Sequence, residues 1–171
     1  ETIVKTQMFD GLVIIATCDK TIPGALLGAA RLNLPTIIVP GGIMFPGRVE
    51  GELVSLADLD ERVFSGKIKE NDKKLRLKWE NSVCPGSGAC PIMGTANTMQ
   101  CLVEVLGLAL PLSSTLLANS GEQLRKAKVA GNQIVRLIQK GIRFTDIVTQ
   151  KAMENMIKAA MAIGAASNSI L

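Results

Sequence analysis

Two short apolar runs flanking a helix-length segment of small residues constrain this chain most. Residues 12–17 read as a strand, residues 23–32 as a close-packed helix carrying Leu26, Leu27 and Ala30, and residues 35–39 as a second strand ended by Pro40-Gly41-Gly42. Runs that are apolar at successive positions belong to strands covered on both faces, as in the parallel sheet of a βαβ unit. The predicted class is therefore α/β, a three-layer α/β/α arrangement with a largely parallel sheet. Ligands of such open sheets gather at the carboxyl ends of the strands. Gly41-Gly42 suits a close approach of backbone to a ligand or a neighbouring loop.

Beyond residue 55 the periodicity turns helical, so the helices are concentrated in the second half. Ser55 is an expected N-cap, followed by Leu56, Leu59 and Val63 at helical spacing before Gly66. The charged segment 67–80 is predicted to continue as a mostly exposed helix. A turn-rich stretch, Cys84-Pro85-Gly86-Ser87-Gly88-Ala89-Cys90-Pro91, precedes a helix from about residue 98 to 106 with Met99, Leu102, Val103 and Leu106 inward. Residues 111–118 form a connection. A long amphipathic helix is expected over 121–140, with Leu124, Ala127, Ala130, Ile134, Leu137 and Ile138 inward. Thr149 then caps a last helix over 151–163. Without an internal repeat or low-complexity linker, residues 1–171 read as a single domain.

Composition removes several classes of function. No apolar stretch approaches the roughly 20 residues of a membrane span. The chain has one Trp, four Phe and no Tyr, which leaves no stacking platform for nucleic-acid bases. Its net charge of +4 is read as lysines and arginines on solvated helix faces. The absence of histidine excludes His-based triads and HExxH zinc sites within this segment. Four cysteines (Cys18, Cys84, Cys90, Cys101) without a secretion signal favour a reducing cytoplasm over a disulfide scaffold. The start at Glu1, without an initiator Met, and the run-out at Leu171 read as a piece of a longer chain.

Cys18-Asp19-Lys20 stands where the first strand gives way to its loop. A thiolate suits iron–sulfur clusters or zinc, and a carboxylate suits Mg²⁺. Side by side, they suggest a site handling two metal centres. The structural alternative has Asp19 capping the next helix and Lys20 solvated. The Cys84–Cys90 loop is the second candidate. Its glycines could offer backbone amides to cluster sulfurs, but its spacing is not that of zinc ribbons. Its alternative is a pair of small buried hydrophobes at a tight turn, and Cys101 reads as core. No phosphate-loop or dinucleotide glycine pattern occurs.

Several segments together resemble the dihydroxy-acid dehydratase and 6-phosphogluconate dehydratase family of iron–sulfur hydro-lyases. They are Asp10-Gly11-Leu12 through Cys18-Asp19-Lys20-Thr21-Ile22-Pro23-Gly24, then Val39-Pro40-Gly41-Gly42, then Cys84 to Cys90 with Thr95-Ala96-Asn97-Thr98-Met99. Cys101-Leu102 through Gly107-Leu108-Ala109-Leu110-Pro111 continues the likeness, and Ala162-Ile163-Gly164 to Asn168 resembles the family's small-residue turn. The similarity runs through nearly the whole chain in order, as an internal part of the N-terminal domain.

The resemblance implies that Cys18 and Cys90 bind an iron–sulfur cluster, [2Fe-2S] or [4Fe-4S], and that Asp19 and Lys20 hold Mg²⁺, with Lys20 as its carbamate. Cys84 is then not a ligand. The implied reaction removes water from a 2,3-dihydroxy carboxylate to give a 2-keto acid, with branched-chain amino-acid precursors as first substrates and a homodimer as the assembly. The expected partner is a small-molecule dihydroxy or sugar acid, with neither nucleic acid nor membrane. No catalytic base lies in this chain: a Ser base is implied downstream, and the remaining cysteine and Mg²⁺ ligands on either side, so the fragment alone is expected to be inactive. The alternatives are a sugar-acid (aldonate or 6-phosphogluconate) dehydratase, a non-catalytic module retaining the fold, and a structural zinc protein. Ile43-Met44-Phe45 in place of Pro-Met, and Gly164-Ala165-Ala166-Ser167-Asn168 in place of Gly-Gly-Ser-Thr-Asn, bear on substrate rather than on family.

Overall fold

The computed structural model describes residues 1–69 and 71–170, with Asn168 described in its backbone only. Glu70, inside the predicted charged helix, and Leu171 lie outside the described residues. After a short helix α1 (Thr2–Thr6), strand β1 (Leu12–Ala16), helix α2 (Thr21–Leu32) and strand β2 (Thr36–Pro40) form the expected βαβ unit. The strands are parallel, in register from Leu12 opposite Thr36 to Ala16 opposite Pro40. Beyond β2 the Ile38 N–H donates to the Leu108 carbonyl at 2.7 Å, so the segment after the fifth helix runs along the far edge of the strand.

Every residue of β2 is buried, and its side chains divide between two layers. Ile38 joins Ala16, Ile22, Ala29, Met99, Leu102, Val103 and Phe144 on one face, while Ile37 and Val39 meet Ala130, Ile134 and Leu137 on the other. This is the predicted α/β/α layering, built on a small sheet. β1 is less enclosed. Its Leu12, Ile14 and Ala16 pack inward, whereas Ile15 is 74% exposed.

A second unit escapes the sequence reading. Strands β3 (Gly47–Val49) and β4 (Glu52–Val54) form an antiparallel hairpin whose turn residues, Glu50 and Gly51, both have positive φ. That is the type I′ pattern matching the natural twist of paired strands. Glu-Gly is a weaker signal for it than Asn-Gly or Asp-Gly. Helix α3 (Leu56–Phe64) begins at Ser55 as predicted, the Ser55 N–H and hydroxyl both donating to Asp58 Oδ2.

The predicted exposed helix over 67–80 is corrected. Gly66, at φ +73°, turns the chain back so that Ile68 N–H bonds the Arg62 carbonyl. Helix α4 (Lys73–Val83) starts only after Asp72, whose carboxylate caps the Leu75 N–H. It buries Trp79 and Val83 with Val49, Val54, Leu59 and Ile68 in a cluster separate from the sheet's.

Helix α5 (Thr95–Val105) begins about three residues earlier than predicted and buries the expected Met99, Leu102 and Val103. Helix α6 (Gly121–Gln139) is capped by Ser120, α7 (Phe144–Ile147) is a single turn, and α8 (Gln150–Ala162) is capped by Thr149 as predicted. Leu124, expected inward on α6, is 73% exposed, and Ile138 is exposed as well. Among the described residues no helix is long and apolar enough to cross a membrane.

Candidate metal-binding loops

The carboxyl ends of β1 and β2 stand side by side, as parallel pairing requires, and three loops converge there. The first is the Cys18-Asp19-Lys20 turn. Its backbone is held by Thr21, whose Oγ1 accepts from the Cys18 N–H at 2.9 Å and donates to the Cys18 carbonyl at 3.0 Å. Lys20, not Asp19, occupies the N-cap of α2, and no side chain caps it. The capping role considered for Asp19 is therefore absent. Cys18 and Lys20 are exposed and Asp19 is half-buried.

Gly41 and Gly42 form the second loop. A Cβ on Gly41 would stand 1.7 Å from Thr17 Oγ1, so only glycine lets this turn lie against the end of β1. Gly42, at φ +87°, also leaves no room for a Cβ, which would stand 2.8 Å from the Ala118 backbone and 2.9 Å from the Leu116 carbonyl. The third loop is 84–90. Its Ala89 N–H donates to the Gly42 carbonyl at 2.9 Å, and Met44 N–H returns a bond to Ala89 O at 2.7 Å. Gly88, at φ +122°, leaves no room for a Cβ against Met44 N at 2.6 Å. Ile43 bridges both Ala89 and Leu117, and Ser87 Oγ donates to Asn119 Oδ1 at 2.7 Å.

Thr17 thus touches Gly41, and Gly42 is bonded to Ala89, so the backbones next to Cys18 and Cys90 belong to one interlocked layer. Cys90 is half-buried and Cys84 exposed, so the alternative of two buried hydrophobes fails for Cys84. Cys101, read as core, is only half-buried, with its neighbour Leu102 taking the interior position.

Three carboxamides that the sequence reading gave no role support these loops. Asn97 Nδ2 donates to the carbonyls of Cys90 (2.9 Å) and Ile92 (2.6 Å). Gln100 Nε2 donates to Asn97 Oδ1 at 3.2 Å, while its Oε1 accepts the Gly42 N–H at 3.0 Å. Gln123 Nε2 donates to the Pro40 carbonyl. The signal for Gln123 was present. One face of α6 carries Gln123, Ala127, Ala130, Ile134 and Leu137, whereas Leu124 lies on the order of 100° round the helix. The polar Gln123, not its apolar neighbour Leu124, is therefore in register with the inner face.

As for metal, the side chains of Cys18, Asp19, Lys20 and Cys90 make no hydrogen bond or ion pair with any described residue. Two thiols suit iron, and a carboxylate beside an amine able to take up CO₂ suits Mg²⁺, so the donor types fit both groups. They are a partial set. Among the described residues no three His, Cys, Asp or Glu side chains come together as a metal site.

The sequence matches the family described as dihydroxy-acid/6-phosphogluconate dehydratase N-terminal across residues 1–171. The chain belongs to that family. It is 44% identical to a dihydroxy-acid dehydratase of Halothermothrix orenii, 45% to one of Pyrococcus furiosus and 43% to one of Methanococcus maripaludis. In each case all of this chain aligns, and it spans 31% of the relative's length.

Proposed function

We propose that this chain is an internal part of the N-terminal domain of a longer hydro-lyase, which converts a 2,3-dihydroxy carboxylate to a 2-keto acid. The observation that carries the reading is the layer joining the Cys18-Asp19-Lys20 turn to the Cys90 loop through Gly41-Gly42. The layer interlocks the backbones next to Cys18 and Cys90, which supports the reading in a chain whose family is one of dehydratases. Relatives bearing the name dihydroxy-acid dehydratase support a dihydroxy acid as substrate, and branched-chain precursors are our first choice.

In this reading the thiolates of Cys18 and Cys90 are sulfur donors to an iron–sulfur cluster, and Asp19 with Lys20 carbamate gives oxygen donors to Mg²⁺. When bound, these metals supply Lewis acidity toward the departing 3-hydroxyl and toward the carboxylate and 2-hydroxyl. In this reading the residues of this chain hold the metals. The family resemblance assigns removal of the C2 proton to a Ser base downstream in the full protein. Loss of that proton and of the 3-hydroxyl releases one water and leaves an enol, which tautomerises to the keto acid. The proposal includes a cytoplasmic homodimer.

A sugar-acid substrate is the second reading, favoured by the 6-phosphogluconate dehydratases within the same family description and by the stretches Gly94 to Gln100 and Val39-Pro40-Gly41-Gly42, which also fit sugar-acid members. Steady-state rates of the full-length protein, prepared without oxygen, on 2,3-dihydroxyisovalerate and on a panel of aldonates decide between them. The higher kcat/KM is expected on the branched dihydroxy acid. Preference for an aldonate reverses the order, and no turnover of either, with no iron or acid-labile sulfide, leaves the non-catalytic module.

A further inference from the structure

We infer that Asn97 and Gln100 are positioning residues, a buried carboxamide relay that fixes the Cys90 loop relative to the Gly41-Gly42 turn and thereby to Cys18. The inference rests on the iron–sulfur reading above. Gln100 is 0% exposed and Asn97 5%, so both amides have been withdrawn from water and must find partners within the protein. Each does so with the backbone of a candidate metal-binding loop or with the other amide.

The relay has a direction. The Gly42 N–H can only donate, so Gln100 must present its oxygen there and its amide protons to Asn97. The carbonyls of Cys90 and Ile92 can only accept, so Asn97 must present its protons to them and its oxygen to Gln100. Backbone groups at both ends therefore fix both amide orientations without ambiguity. Asn97 grips the chain on either side of Pro91, immediately after a loop whose regular pairing ends at Ala89. Gln100 grips the residue following Gly41, which lies directly on Thr17. From Cys90 to Cys18 the connection is thus carbonyl, Asn97, Gln100, Gly42, Gly41 and Thr17.

A core amide that served packing alone would have its polar atoms satisfied anywhere convenient. Here two of the four polar atoms join the amides to each other, and the other two hold the Gly42 N–H and the carbonyls of Cys90 and Ile92. Supporting contacts of this kind orient metal ligands, and their loss weakens metal retention on the order of 10- to 100-fold.

The test uses the full-length protein loaded with iron and sulfide. Gln100→Met keeps the length and apolar bulk but removes the relay. Asn97→Asp keeps the shape while placing acceptors where amide protons were, and serves if Gln100→Met does not fold. Leu106→Ala, at the other end of the same helix, loses core packing without touching the relay. The readouts are the absorption and reduced-state EPR spectra of the cluster and the rate of iron loss to a chelator, at a temperature where all variants are folded. We expect altered spectra and iron loss on the order of tenfold faster in the relay variants, with Leu106→Ala like wild type. Wild-type spectra and retention in a folded relay variant overturn the inference, as does an equal change in Leu106→Ala, which would make the effect one of stability. Wild-type protein that takes up no iron or sulfide overturns instead the reading on which the inference rests.

Discussion

Glu104 gathers three backbone donors onto one carboxylate. Oε1 accepts from Leu112 N–H at 2.6 Å, and Oε2 from Ser113 at 3.1 Å and Ser114 at 2.9 Å. Burial pushes its pKa up, but the hydrogen bonds from Ser114, Leu112 and Ser113 outweigh it, and the net shift is below the ordinary 4.5. A carboxylate with a lowered folded pKa contributes stability that is complete above its unfolded value and is lost as pH falls through the folded one. Glu104→Gln is therefore expected to reduce stability by about 1.5–3 kcal/mol at pH 7, and less at pH 3. Urea unfolding of both proteins at the two pH values checks this; curves separated equally at both would exclude the carboxylate's charge as the cause. At the same scale, Gly88→Ala drives a Cβ into the Met44 backbone nitrogen and is expected to lower stability by about 1–3 kcal/mol. Gly131→Ala, mid-helix in α6 with open space around it, is expected to raise it by about 0.5–1 kcal/mol. Thermal unfolding reads both, and the opposite sign at either position overturns that assignment.

Elements were legible where a single physical pattern specified them. The apolar runs of β1 and β2 marked a parallel pair, although only β2 is covered on both faces, and Ser55 and Thr149 marked helix starts, because capping acts locally. The β3–β4 hairpin was missed since its turn is Glu50-Gly51, and its two buried valines, Val49 and Val54, gain an interior only from α3 and α4. The same holds for Ile68 and Trp79, hidden within a segment whose charges read as solvated. In the candidate site, Cys18, Asp19, Lys20 and Cys90 were readable as candidate donor types. Asn97, Gln100 and Gln123 were not, because their partners are backbone groups of distant loops. The hairpin unit has its own cluster, with the Arg62 guanidinium 4.4 Å above the Trp79 ring. Trp79→Ala is expected to lower stability by about 3–5 kcal/mol. Hydrogen exchange should show faster opening of β3 and β4 with β2 still protected. Equal loss of protection in β2 would mean that the two clusters unfold as one.

At the scale of the whole molecule, the sheet works as a ruler that brings loop backbones together, while the donors themselves remain too few. Parallel pairing in register puts the ends of β1 and β2 next to each other, and glycine contacts tie the 84–90 loop to them. Yet the described residues offer two candidate thiols for iron and no convergent group of three acidic or sulfur ligands. A cluster held by two protein ligands leaves its other positions to solvent and exogenous thiols, which exchange freely. The 171-residue chain by itself is therefore expected to retain no iron through gel filtration after incubation with iron, sulfide, bicarbonate and Mg²⁺, and to show no dehydratase turnover, whereas the full-length protein retains both. Iron retained in stoichiometric amount by the short chain would mean that a third ligand within these residues has been overlooked, and the exposed Cys84 would be the first to replace by serine.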